Sequence, residues 1–269
     1  MKKAEAKFNK EGSGLFYMET YSHSKLTTFE KCPLKYKYRY IDRIISLRET
    51  IEIVLGKAVH ETLEWLYKEI RKNKIPQIDE VIMNYSKNWR RGYHPEILIV
   101  RDGLTAEDYF NKGIQFLLSY YTEHHPFDDN TLELEKEIKV IIDEKREYQI
   151  RGFIDRLSYN LKTGEYEIHD YKTSNNLPNK DRIDDDKQLA LYSIAIKEEF
   201  GKEKNICLIW HYLNFNKKIF IRKTNEQLEK LKKETFELIK KIESTKEFNP
   251  NKSGLCEWCE YKIMCPEWN

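Results

Sequence analysis

The stretch YQIRGFIDRLSYNLKTGEYEIHDYKTS, residues 148–174, decides the reading of this chain. Apolar and polar residues alternate through Tyr148–Leu157 and again through Tyr166–Lys172, which predicts two strands, with Asn160–Gly164 as the turn between them. In the second strand, alternation puts Tyr166, Ile168, Asp170 and Lys172 on one face and His169 and Tyr171 on the other. A carboxylate and an ammonium then project side by side. A hairpin turning near Lys162 brings Asp155 beside Asp170. Two carboxylates held together in a partly buried place need a cation, or one of them takes a proton. In such a site Asp170 binds a divalent cation, while Lys172 orients water or stabilises charge growing on a phosphoryl oxygen. Gly152 leaves room for backbone or substrate to approach. The plainer alternative is a pair of exposed acids near a turn, with Asp155 paired to a local arginine.

Working outward, a strand over Leu132–Ile142 precedes the hairpin, and a helix over Asp186–Phe200 follows it. Strands come next at Ile206–Phe215 and Lys218–Arg222, then a helix opened by Thr224-x-x-Gln227 with Leu228, Leu231, Leu238, Ile239 and Ile242 on its apolar face. Upstream, Ser24 is placed to cap a helix bent at Pro33. A second helix is predicted over Leu55–Lys72, where Val59, Leu63, Leu66 and Ile70 recur at helical spacing. Residues 73–131 hold two more helices, the later opened by a capping box of Thr105 and Asp108. The whole fits one α/β domain with a central mixed sheet: an N-terminal arm over 1–21, a domain over 22–269, a helical insertion over 73–131 and a C-terminal segment over 249–269.

Two further features bear on the acids. His60, beside the apolar position Val59, is a ligand candidate if its helix packs across the sheet edge that carries them; a lone helical histidine is more often structural. Gln188 and Tyr192 form an i, i+4 pair suited to holding DNA and the acidic strand, or to packing on the core.

With 269 residues, 40% apolar and 34% charged, the chain is long enough for one sizeable core and has the composition of a soluble globular protein. It has no run of 18 apolar residues and no signal-peptide h-region, so a cytoplasmic location without membrane contact is expected. A net charge of +2 does not by itself assign a nucleic-acid partner. Its distribution says more: Lys25–Arg43 carries six basic residues interleaved with Tyr36, Tyr38 and Tyr40. That segment reads either as a track for a phosphate backbone with stacking rings, or as a solvated helix whose tyrosines pack inward.

Cys256, Cys259 and Cys265 follow a C-x2-C-x5-C spacing, and Cys32 stands alone near the start. Four thiolates suit zinc or a [4Fe-4S] cluster, and a site built from them ties the two ends of the chain together. Cys207, in the apolar run NICLIW, reads as a buried strand thiol.

GKAVH, RGFIDR, HDYKTS and QLALY, framed by these cysteines, resemble the RecB-like iron–sulfur nucleases of the PD-(D/E)XK superfamily. That branch includes the AddB nuclease domain and the CRISPR-associated adaptation nucleases. The resemblance spans about Ser22 to Pro266 and implies a restriction-endonuclease-like core. It implies that His60, Asp155 and Asp170 hold Mg2+ or Mn2+, with the Tyr171 carbonyl adding a ligand and Lys172 as the catalytic lysine. Gln188 and Tyr192 match a Gln-x-x-x-Tyr motif, Glu135 in LELEKEIKV matches an acidic position on the preceding strand, and Cys32, Cys256, Cys259 and Cys265 match the [4Fe-4S] ligands. Family members cut DNA, often processively from an end, which implies single-stranded or end-containing DNA as substrate.

Asp170 stands where many members carry glutamate, and the insertion after the His60 helix is longer than in compact CRISPR-associated members. These departures favour a stand-alone or repair-associated exonuclease over a CRISPR adaptation role. No G-x-x-x-x-G-K-[S/T] pattern occurs, so a helicase motor would be another chain. The competing classes are a catalytically silent DNA-binding scaffold and a zinc-stabilised RNA-processing enzyme.

Overall fold

A strand of 13 residues, Tyr148–Asn160, is long enough to pair with three neighbours, and its length sets the architecture. The computed structural model describes residues 6–8, 15–46, 48–179 and 186–268; the expected arm over 1–21 lies partly outside them. In chain order come β1 (Ala6–Phe8), β2 (Leu15–Tyr17), β3 (Glu19–Tyr21), α1 (His23–Lys31), α2 (Pro33–Tyr36) and a π-helical turn (Lys37–Ile41). Then follow α3 (Ile51–Ile70), α4 (Ile78–Gly92), α5 (Ala106–His124), β4 (Thr131–Ile141), β5 (Tyr148–Asn160) and β6 (Glu165–Lys172). The chain continues with α6 (Gln188–Phe200), β7 (Ile206–Tyr212), β8 (Lys217–Ile221) and α7 (Asn225–Ser244), and short 3-10 turns carry the cysteine tail.

β4 runs antiparallel along β5 from Thr131↔Ser158 to Ile141↔Gln149. The other edge of β5 is shared. β3 pairs parallel at Tyr148–Ile150, and β6 pairs antiparallel from Asn160↔Glu165 to Arg156↔His169. β6 then pairs parallel with β7, and β7 antiparallel with β8, which completes a mixed sheet. β3, at the end of the expected arm, thus joins this sheet.

Two apolar clusters enclose the sheet. In one, Ile150, Ile154, Leu157, Ile168 and Trp210 pack with Leu191 and Ile196 of α6 and Ile239 of α7. In the other, α3, α4 and α5 pack their Leu63, Tyr85 and Leu117 together with Tyr171 of β6. The helical insertion is therefore built as α4 and α5 on α3. Both predicted capping boxes form, Thr105 with Asp108 and Thr224 with Gln227. Among the described residues no helix is long and apolar enough to cross a membrane.

Three local expectations are corrected. Ser22, not Ser24, caps α1: its backbone is extended and its hydroxyl accepts from the Lys25 N–H at 3.1 Å. Pro33 separates two helices rather than bending one, since proline has no N–H to continue the ladder; Cys32 sits at the junction, ending α1 and preceding α2. The strand expected over Ile206–Phe215 stops at Tyr212, where a 3-10 turn and Asn216 at φ 45° reverse the chain into β8. Asparagine tolerates that left-handed conformation.

Candidate active site

The β5–β6 ladder ends at Arg156↔His169, so Asp155 and Asp170 are the next residues facing each other across the opening. There Asp155 Oδ2 accepts the Tyr171 N–H at 3.0 Å. His60, from α3, reaches the same point: its Nδ1 lies 3.3 Å from Asp155 Oδ2 and its Nε2 is 2.6 Å from the Tyr171 carbonyl oxygen. Lys172 Nζ lies 2.7 Å from Asp170 Oδ2 and donates to Gln188 Oε1 of α6 at 3.2 Å. Tyr192, one turn along α6, is buried beside the same cluster. The structure thus draws together His60, Asp155, Asp170, Tyr171, Lys172, Gln188 and Tyr192.

Burial and opposed charges set the electrostatics of the site. Burial lifts Asp170 to about 6, opposed by the Lys172 charge and reinforced by Asp155. Its Oδ2 is buried and pairs with the Lys172 ammonium at 2.7 Å. Burial disfavours charge on His60, but the hydrogen bond and charge of Asp155, then Asp170 and the Tyr171 carbonyl, outweigh it and raise the imidazole to about 9. Both ring nitrogens then carry protons, one directed at a carboxylate and one at a carbonyl. For Lys172, burial lowers the pKa, but Asp170 and the other nearby carboxylates raise it above the ordinary value.

Two acids extend the group. Glu135 lies between the ladder pairs Leu134↔Arg156 and Lys136↔Ile154 with φ 47°. Partial desolvation, then the charges of Asp155 and Glu64, push its pKa up. Glu64 was not singled out from the sequence; its i+4 spacing from His60 on α3 was the available signal. Gly152 has a different use from the expected one. The ring of Tyr192 occupies the space, and an added Cβ would lie 2.4 Å from it.

Among the described residues no group of three or more His, Cys, Asp or Glu side chains is gathered closely enough to hold a metal ion. The chemistry of the donor set still fits a hard divalent cation: buried and crowded carboxylates beside an imidazole and the Tyr171 carbonyl.

Cys32, Cys256, Cys259 and Cys265 line one cavity of about 90 Å³, together with Lys31, Lys35, Lys252, Lys262 and Glu267. The thiols are partly exposed, and Cys256 Sγ accepts the Ser253 N–H at 3.3 Å. Four thiols are the donor type of a four-thiolate centre, but among the described residues they are not gathered closely enough to hold a metal ion, so the expected iron–sulfur clamp is not formed here. Cys207 is buried in β7 away from them.

The protein itself also latches the tail. Glu260 lies between Lys35 at 2.7 Å and Arg39 at 2.6 Å, Tyr261 donates to the Ile44 carbonyl at 3.0 Å, and Asn251 donates to the Lys31 carbonyl at 2.9 Å. These contacts engage the basic segment, read from sequence either as a DNA track or as a solvated helix with inward-packed tyrosines. Lys35 and Arg39 face Glu260, Lys37 faces Asp42 and Tyr36 is buried, so internal pairing neutralises much of its charge.

The sequence model of the PD-(D/E)XK nuclease superfamily matches residues 20–266. The chain belongs to this superfamily. An α/β core with a mixed central sheet and helical insertions is the form it takes here. Among solved structures, a putative exonuclease from Eubacterium rectale is similar at 10% identity and a TM-score of 0.51, with 89% of this chain and 86% of that one covered. A crystal structure described as SSO0001 aligns over 91% of this chain and 96% of its own at 15% identity, with a TM-score of 0.38. No curated protein matches the sequence.

Proposed function

We propose that this chain is a divalent-metal-dependent deoxyribonuclease that hydrolyses phosphodiester bonds at DNA ends, in repair, recombination or end processing. One observation carries the reading. In a member of a nuclease superfamily, His60, Asp155, Asp170, Lys172 and Gln188 converge from two strands and two helices on one partly open point. The preference for ends rests on the resemblance to RecB-like nucleases.

Asp155, Asp170, His60 and the Tyr171 carbonyl are the groups that would hold Mg2+ or Mn2+. Such a cation polarises a phosphoryl oxygen and lowers the pKa of a bound water. Lys172 supplies a fixed positive charge beside the phosphate, and Gln188 orients that ammonium. Because its neighbours raise the pKa of Lys172, its role is charge stabilisation and water orientation rather than proton removal. Cys32, Cys256, Cys259 and Cys265 are the groups that would hold a [4Fe-4S] cluster of structural role. A helicase or CRISPR adaptation protein would act as a separate partner chain.

The test is cleavage of labelled single- and double-stranded DNA, with free or blocked ends, in Mg2+, Mn2+ or EDTA. Metal-dependent loss of end-labelled substrate that requires Lys172 supports the reading. Absence of cleavage with every metal and end, in protein with its cysteine site loaded, leaves the DNA-binding scaffold. Preferential cleavage of RNA by a zinc-loaded protein selects the RNA-processing alternative.

A further inference from the structure

Arg156 is only 1% exposed, a fully buried guanidinium directly behind the candidate active site. Burying a charge costs several kcal/mol unless it is well paired, and an apolar side chain often serves stability as well. Among the described residues, Arg156 has one carboxylate partner, Asp129. Its other contacts are neutral: Nε donates to the Tyr171 hydroxyl at 3.0 Å, a terminal nitrogen donates to His169 Nδ1 at 3.0 Å, and the plane lies 4.2 Å from the Tyr67 ring centroid. The Tyr171 hydroxyl also meets that of Tyr120 at 3.2 Å.

The place of these contacts gives them a use. Along the β3/β6 edge of β5, ladder pairing stops at Ile150 on one side and resumes at Arg156 on the other. Asp155 lies at the end of that gap. Beyond His169, β6 is tied to β5 by side chains: the Asp155 carboxylate on the Tyr171 N–H, and the Arg156 guanidinium on the Tyr171 hydroxyl. Tyr171 is thus held at both its backbone and the far end of its ring. Its backbone carbonyl in turn receives His60. Arg156 constrains that second partner too, because Tyr67 lies two turns beyond His60 on α3. Neighbouring residues of β5 therefore divide the work: Asp155 enters the site, and Arg156 locks the strand and helix that complete it.

We infer that Arg156 is a positioning residue for the metal-binding group, acting through the Tyr171 hydroxyl. This rests on the reading of His60, Asp155, Asp170 and the Tyr171 carbonyl as the cation site. Partners that orient metal ligands change affinity by about 10- to 100-fold when removed.

Tyr171→Phe removes the hydroxyl and leaves the backbone carbonyl in place. Calorimetric titration of the DNA-free protein with Mn2+ should show affinity weakened about tenfold, with a matching rise in the Mn2+ needed for half-maximal cleavage and unchanged DNA affinity in EDTA. Tyr85→Phe is the control for a merely structural loss, since that hydroxyl is buried in α4 and donates to the Phe110 carbonyl at 3.2 Å. It should lower the melting temperature and leave Mn2+ affinity alone. Wild-type Mn2+ affinity in Tyr171→Phe, or an equal loss in Tyr85→Phe, overturns the inference. Because the titration needs no cleavage, it fails separately from the nuclease reading, which stands or falls with Lys172→Ala.

Discussion

Lys172 and Asp170 meet on one face of β6 at 2.7 Å, and Gln188 accepts from the same ammonium at 3.2 Å. Strand and helix thus fix the lysine before any substrate arrives. The Lys172 side chain remains 29% exposed, against 5% for Asp170, so the cation has the open side of the pair. That arrangement suits stabilisation of developing charge, which needs a donor already in place.

Removing this donor should slow chemistry more than binding. For Lys172→Ala we expect single-turnover DNA cleavage to fall on the order of 10²-fold, about 3 kcal/mol, with DNA affinity in EDTA retained. Gln188→Ala should have a smaller effect in the same direction. A loss of affinity large enough to account for the lost rate would reassign Lys172 to phosphate anchoring.

The metal dependence of stability should change with pH. His60 is raised from 6.5 to about 9, so its ionic contribution is full below about 6.5 and disappears as pH rises through 9. Asp170 is raised from 3.8 to about 6, so the cost of its buried charge appears as pH rises through that range. The metal-free protein should therefore melt lower at pH ~9 than at pH ~6, and added Mg2+ should raise the melting temperature more at the higher pH, where fewer protons must leave. Thermal denaturation across this range, with Mg2+ and with EDTA, checks both signs. A Mg2+ stabilisation independent of pH would place the ion elsewhere.

Cys256→Ser should lose the cluster without unfolding the domain. The Glu260 ion pairs and the Tyr261 and Asn251 hydrogen bonds hold the tail without metal, so the disruption should be confined to the cysteine cavity. Anaerobically purified wild type should carry about four iron atoms per chain, the variant little, and their far-ultraviolet circular dichroism should agree closely. Cys207→Ser should keep its iron. A folded, colourless, zinc-loaded wild type would exclude the iron cluster.

Gly152→Ala should destabilise the protein through Tyr192. The new methyl would lie 2.4 Å from the ring, so strand and helix must move apart, at a cost of about 1–3 kcal/mol. Urea unfolding of Gly152→Ala, Tyr192→Leu and the double variant should show less than additive loss, because the smaller side chain relieves the clash. Strict additivity would show that the two positions do not touch in solution.

The sequence by itself determined the elements governed by neighbours along the chain. Alternation marked β5 and β6, the Asp-x-Lys spacing put Asp170 and Lys172 on one face, and capping boxes at Thr105 and Thr224 marked helix starts. Such signals are legible along the chain because each depends on fixed local geometry of strand or helix. Only the tertiary structure decided which distant groups share charge and protons. His60 lies 111 residues from Tyr171, yet its protonation depends on that carbonyl and on Asp155. Arg156, next to Asp155 on β5, is turned inward by burial to Tyr171 and His169. For the basic segment near the start, which by sequence reads either as a DNA track or as a solvated helix, folding places Glu260 from the tail between Lys35 and Arg39. Charge and desolvation act through space and depend on everything packed nearby, so a side chain's role in them is set only when the chain has closed on itself.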